Sequence, residues 1–108
     1  MKKILLISLS ILVASAWSSR ADAKATYDKS CAKCHGAEGK GKTATGKKLG
    51  VKDYSDAKVQ AALTDDAAFK AIKEGLKDKG GKTLMKPAEG ISDADIKGLI
   101  AYMRSFKR

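Results

Sequence analysis

The sequence predicts an all-α domain, on three observations. Nowhere do Val, Ile and Thr alternate with polar residues over a useful length, so no strand pattern emerges. Four stretches either carry apolar residues at helical spacing or begin on a capping residue. Between them lie two segments rich in glycine and lysine, residues 36–50 and 76–90, that read as loops.

The helices follow in order. The first is expected over about residues 25–34, where Tyr27 and Cys31 are four apart and share a face. The second covers residues 56–63, capped by Ser55 or Asp56, with Val59 and Leu63 pointing inward. The third begins after Thr64 and Asp65 and carries Phe69, Ile72 and Leu76, with Gly75 at its fraying end. The fourth is the clearest. Ser92 is its N-cap, and Asp95 stands three residues later in a near capping box. Asp93 and Asp95 place negative charge at the positive end of the helix dipole. Ile96, Leu99, Ile100 and Met103 form the apolar stripe. Arg104, Lys107 and Arg108 close the C-terminal end, where positive charge is favoured.

The 108 residues suggest one domain, and the first of them read as an export signal. Lys2 and Lys3 form a basic start, residues 4–13 an apolar run, and "ADA" at 21–23 a small-residue cleavage site. "ASA" at 14–16 is a second candidate site. Cleavage after Ala23 is preferred, because a helix-compatible segment begins there. The competing reading is a retained membrane anchor, but the apolar run falls short of the roughly 20 residues a spanning helix needs. No cysteine stands near the cleavage site, which argues against a lipid anchor. The expected division is a cleaved signal over 1–23 and one domain over 24–108.

Losing Lys2, Lys3 and Arg20 together with Asp22 lowers the net charge from +10 to +8. A surface this basic suits an acidic protein, an anionic membrane or nucleic acid. Nucleic acid fits worst: the lysines are scattered and aromatics are few. Most of the lysines read as solvated surface. A chain this short has a thin apolar core and needs a staple.

"CAKCH", Cys31 to His35, holds both cysteines and the only histidine. A thioredoxin-like dithiol would follow a strand in a βαβ setting, and none is read here. A structural zinc site needs a second pair of ligands, which the chain lacks. A disulfide three residues apart closes little loop entropy and leaves His35 unexplained. Haem attachment accounts for all three residues. Cys31 and Cys34 lie one helical turn apart, on one side, as two thioethers to one haem require. His35 follows as the proximal iron ligand. The haem would also supply the missing apolar centre.

The other face of the iron needs a ligand, and no second histidine exists. The candidates are Met85, Met103, a lysine or a tyrosine. Met103 lies on the apolar stripe, where methionine is ordinarily core filler. Met85 stands alone among Gly, Lys and Pro, and is preferred. A His/Met pair raises the reduction potential and leaves no open position for substrate.

From "TYDKSCAKCHGAEGKGK", "GKKLGVKDYSD" and "LMKPAEGISDADIKGLIAYMRSF", the chain resembles the class I c-type cytochromes of the small bacterial kind over residues 24–108. The resemblance implies a small fold of about four helices around one covalent haem c. It implies an aromatic before the haem motif packed on one of the last helix, here Tyr27 and Tyr102, and a loop methionine before that helix, here Met85. Tyr54 is implied as a contact to a haem propionate, with a part-buried loop tyrosine as the equal alternative. Lys47, Lys48 and Lys52 could offset propionate charge. Two departures stand out. Lys86 separates Met85 from Pro87, and no proline follows the haem motif to hold the proximal histidine through its carbonyl. Gly46 or Lys47 is expected to supply that carbonyl.

The leading functional reading is an exported, periplasmic, monomeric one-electron carrier and not an enzyme. Lys29, Lys33, Lys40, Lys82 and Lys86 would steer acidic donor and acceptor proteins to the haem edge, with no nucleic acid and no membrane insertion. The alternatives are a haem-bearing subunit of a periplasmic oxidoreductase, a haem-based ligand sensor with a labile sixth ligand, and a non-haem dithiol protein.

Overall fold

A computed structural model describes residues 16–108. The expected basic start and apolar run of the export signal lie outside the described residues. Within them the order is α1 (Ala16–Ser30), α2 (Ala32–His35), α3 (Ala44–Leu49), α4 (Ala57–Ala62), α5 (Asp65–Glu74), β1 (Leu76–Lys77), β2 (Thr83–Met85) and α6 (Asp93–Arg104). No helix among the described residues is long and apolar enough to cross a membrane.

The all-α class holds, with corrections in detail. The first helix does not run unbroken into Cys34. It ends at Ser30, and Cys31 serves as the N-cap from which α2 restarts. Residues 36–50 are not all loop, since Thr43 caps a short helix that stops at Gly50 in a left-handed conformation. Residues 76–90 contain an antiparallel hairpin, so Leu76 is not on the third helix: it lies on β1, 49% exposed. The hairpin turn is built by Asp78. Its carboxylate accepts from the N–H groups of Gly80 and Lys82, each at 2.9 Å. Its own N–H donates to the Lys82 carbonyl at 2.9 Å.

The caps expected at Ser92 and Asp56 are in place, and Thr64 adds a third, so that α5 begins at Asp65 and not after it. Ser92 Oγ accepts from the Asp95 N–H at 3.1 Å, Thr64 Oγ1 from Ala67 at 3.1 Å, and the Asp56 carboxylate from Lys58 at 2.8 Å. Each satisfies an N–H that the first helical turn leaves without a partner.

α6 organises the packing, crossing α1 on one side and α5 on the other. Ile96 and Ile100 form the core with Ala68 of α5, and Leu63, Phe69, Ile72, Ile91 and Met103 close around it. Against α1 the contact is aromatic. Tyr27, Tyr102 and Phe106 make a mutual cluster with centroids 5.3, 5.2 and 5.1 Å apart, in the tilted and edge-on arrangements aromatic rings prefer. The Tyr27–Tyr102 pair was expected; Phe106 as its third member was not. Ala23, within the preferred cleavage site, is buried in the intact chain and lies beside Gly98 of α6.

Among the described residues Gln60 is the one buried polar side chain, next to Val59, which was expected to point inward and is half-buried. Its amide N–H groups donate to the carbonyls of Tyr54 at 2.7 Å and Met103 at 3.0 Å. Its amide oxygen accepts from Arg104 at 2.9 Å. Arg104 also donates to the carbonyls of Gln60 and Leu63, which end α4, and to the Asp65 carboxylate at 2.8 Å. One guanidinium thus closes the C-terminus of α4, where free carbonyls favour a cation, and joins it to α6. Arg104→Met should destabilise the haem-loaded protein by about 2–4 kcal/mol in urea unfolding, because the part-buried acceptors of Gln60 and Leu63 lose their donor. Arg104→Lys should recover only part of the loss, since an ammonium cannot reproduce the planar fork.

Candidate haem site

The C-x-x-C-H residues form their own short turn of helix. Cys31 N–H donates to the Tyr27 carbonyl at 2.8 Å, so the backbone enters the motif still following α1. His35 N–H donates to the Cys31 carbonyl at 3.0 Å, and Gly36 N–H to Ala32 at 2.8 Å. Both cysteines are free and half-buried on this turn. The Tyr27 hydroxyl donates to the Gly36 carbonyl at 2.6 Å and fastens the end of the turn to the aromatic cluster.

α3 holds the other side. The Thr43 hydroxyl donates to the Cys34 carbonyl at 2.7 Å and accepts from the Gly46 N–H at 2.8 Å. One side chain therefore caps α3 and seats it on the motif. Gly46 makes the approach possible: a Cβ there would stand within about 2.8 Å of the Thr43 hydroxyl and closer still to the Cys34 and Gly41 carbonyls. Gly46 does not hold His35 as expected. Its carbonyl accepts from Val51 N–H at 2.9 Å and from the Gly50 cap. The His35 Nδ1 is buried and has no hydrogen-bond partner among the described residues, so neither Gly46 nor Lys47 supplies the expected carbonyl.

The electrostatics favour metal ligation over thiol chemistry. Burial holds the His35 pKa below its usual value, which keeps the imidazole neutral and able to donate a lone pair. Burial, followed by the neighbouring Cys34, pushes the Cys31 thiol up. A redox dithiol needs the reverse shift, toward thiolate. The motif also follows a helix, α1, and no strand. Among the described residues no group of three or more His, Cys, Asp or Glu side chains is placed so that it could hold a metal ion. A buried neutral imidazole with an unsatisfied nitrogen, beside two free half-buried thiols, fits a covalently attached haem. Cys31 and Cys34 would hold its edge and His35 its iron.

The remaining candidates divide between two parts of the fold. Tyr54 joins the motif, its ring centroid 5.8 Å from that of His35. Burial raises its hydroxyl pKa, so it remains a proton donor. Its backbone N–H donates to the Gly39 carbonyl at 2.8 Å, which ties residue 54 to the loop behind the haem motif. Met85 lies elsewhere, half-buried at the end of β2. Met103 packs against the Ala68, Ile96 and Ile100 core. Of the lysines expected around the haem edge, Lys40 is engaged by Glu38 at 3.1 Å. Lys29, Lys33, Lys82 and Lys86 are exposed, with no ion pair among the described residues.

The comparisons with known proteins agree with this arrangement. The cytochrome c family model matches residues 21–107. The solved c-type cytochrome KustC0563 superposes with a TM-score of 0.70 at 30% identity, over 80% of this chain and 98% of its own. A tyrosine-to-phenylalanine mutant of it gives 0.68 at 30% identity, over 80% and 99%. No curated protein matches the chain. A family match over residues 21–107, in a chain that carries the C-x-x-C-H residues, places the chain in the cytochrome c family, as a binder of covalently attached haem c.

Proposed function

We propose that the chain is an exported one-electron carrier, periplasmic and monomeric, with His35 and Met85 as the axial pair and acidic proteins as donor and acceptor. The haem supplies the one-electron couple. The chain's residues hold it, exclude water from it and fix its ligands. The observation that carries the axial assignment is the contrast between the two methionines. Met103 is used up in core packing, whereas Met85 is presented on a hairpin with no core role. A thioether opposite an imidazole stabilises the reduced iron and fills the coordination sphere, which suits transfer of electrons and not binding of small ligands. Tyr54, beside His35, is proposed as the propionate contact.

Met85→Ala should abolish the sulfur-to-iron charge-transfer absorption of the oxidised protein and open the reduced protein to carbon monoxide. The band surviving in this variant would move the assignment to Met103. Rapid carbon monoxide binding by the unaltered protein would instead sink the carrier reading.

Steering by Lys29, just before the thioether turn, and Lys33, within it, makes association with an acidic redox protein salt-dependent. The bimolecular rate should fall as ionic strength rises, and the Lys29→Glu/Lys33→Glu variant should start slower and lose most of that dependence. A flat salt profile for the unaltered protein refutes the steering.

Export with cleavage after Ala23 makes Lys24 the first residue of the mature protein, as intact mass measurement on material from the periplasm will read. A mass retaining Trp17 would assign the cut to the site after Ala16.

A further inference from the structure

Met85 has little side-chain packing to hold it, yet its backbone is fixed from an unexpected direction. α5 ends at Gly75, whose φ of 76° lies in the region that favours glycine. Gly75 N–H closes the helix on the Ala71 carbonyl at 2.9 Å. A Cβ at Gly75 would stand 2.5 Å from the Met85 carbonyl oxygen and 2.9 Å from both the ring Cδ and the nitrogen of Pro87. The Met85–Pro87 backbone therefore lies directly on the bare Cα of Gly75. Two further contacts hold it there. Leu76, the next residue, pairs with Met85 across the hairpin, and the register skips Leu84 in a bulge that resets the direction of the strand at Met85. Beyond Pro87, Ala88 N–H donates to the Ile72 carbonyl of α5 at 2.8 Å. The methionine is thus gripped on both sides by the end of one helix.

We propose that Gly75 is a positioning residue for the distal ligand: the close seat of the Met85–Pro87 backbone on its Cα, locked by the Leu76–Met85 pair and the Ala88–Ile72 bond, keeps the Met85 sulfur on the iron. This rests on the assignment of Met85 as that ligand. Any side chain at residue 75 displaces the Met85 carbonyl or Pro87, and displacement of the backbone carries the sulfur with it.

Gly81 provides the control. It lies in the same hairpin at a φ of 84°, but a Cβ there meets nothing within 4 Å. Gly81→Ala carries the conformational penalty without the collision.

The experiment uses the haem-loaded protein and reads the charge-transfer absorption and the rate of carbon monoxide binding after reduction. Gly75→Ala should weaken or remove the band and speed carbon monoxide binding at least about tenfold, while Gly81→Ala stays close to the unaltered protein. A folded Gly75→Ala protein with full band and unaltered rate overturns the proposal, as does an equal effect from Gly81→Ala. Should Gly75→Ala fail to fold, Pro87→Ala decides. It removes one face of the seat and frees the chain after Met85, so the rate should rise in the same direction by a smaller factor. An unchanged rate overturns the proposal. Met85→Ala separates the two layers. If it keeps the band, the ligand assignment falls and the positioning role with it. If it loses the band while Gly75→Ala keeps it, only the positioning role falls.

Discussion

The hydrogen bond from the Tyr27 hydroxyl to the Gly36 carbonyl ties the haem motif to the rest of the molecule. Tyr27 is 4% exposed, and its ring sits between Tyr102 and Phe106 at the meeting of the first and last helices. Its hydroxyl reaches back to the residue immediately after His35. Burial, with smaller contributions from Cys31 and Tyr102, holds its pKa above the ordinary tyrosine value, so the donor keeps its proton throughout the physiological range. The packing of α1 on α6 and the position of His35 are therefore one constraint. Thr43 applies the same logic from the opposite side, through the Cys34 carbonyl.

This bracing matters because the protein has little else at its centre. Among the described residues the buried apolar set consists of Ala23, Tyr27, Ala68, Ile96, Leu99 and Ile100, and of the large side chains only Ile96 is wholly enclosed. A core of that size is marginal for a domain of this length. Two devices compensate. Covalent haem c adds a large apolar body that cannot dissociate. The Gln60–Arg104 network adds bonds that are directional, and so specifies how α4 lies against α6 where apolar packing alone would allow sliding. Arg104 is partly exposed, which lowers the cost of holding its charge there, and its several acceptors use nearly the whole guanidinium.

What was legible in the sequence follows from how local each signal is. The C-x-x-C-H chemistry lies in five adjacent residues, and its competitors fail on signals just as easily read: no second ligand pair for zinc, no strand before a dithiol, and little loop for a disulfide to close. α5 and α6 carry caps, stripes and stop signals within a dozen residues. α3 carries a Thr43 cap and a Gly50 stop, but it is too short for an apolar period to show between them. The strands span two and three residues, below the length at which alternation is visible. Gln60 and Arg104 were out of reach for a different reason. Their partnership joins residues 44 apart, and glutamine in an amphipathic helix ordinarily reads as surface. The family resemblance supplied Tyr27 with Tyr102, but the proline it would have placed near residue 47 is absent, and the expected substitute carbonyl is absent with it. His35 Nδ1 is left without a protein acceptor.

The two residues proposed as axial ligands are held by opposite means. His35 is fixed by the backbone around it, through Tyr27, Thr43 and the α2 turn, and by the ring of Tyr54 beside it. Met85 sits on an exposed hairpin, whose neighbours Leu76 and Leu84 are, among the described residues, the large apolar side chains most open to solvent. Burial cannot hold a ligand there. The constraint has to come from main-chain geometry: the Asp78 turn that closes the hairpin, the bulge at Leu84, and the seat of residues 85–87 against α5. A carrier works fastest when its ligands need not move between oxidation states, because any rearrangement adds to the barrier of every transfer. A thioether is a weak ligand for ferric iron, so the oxidised state is where the sulfur would leave if the chain let it. A backbone that makes departure costly serves the couple in that state, and it does so without enlarging a core the chain is too short to build.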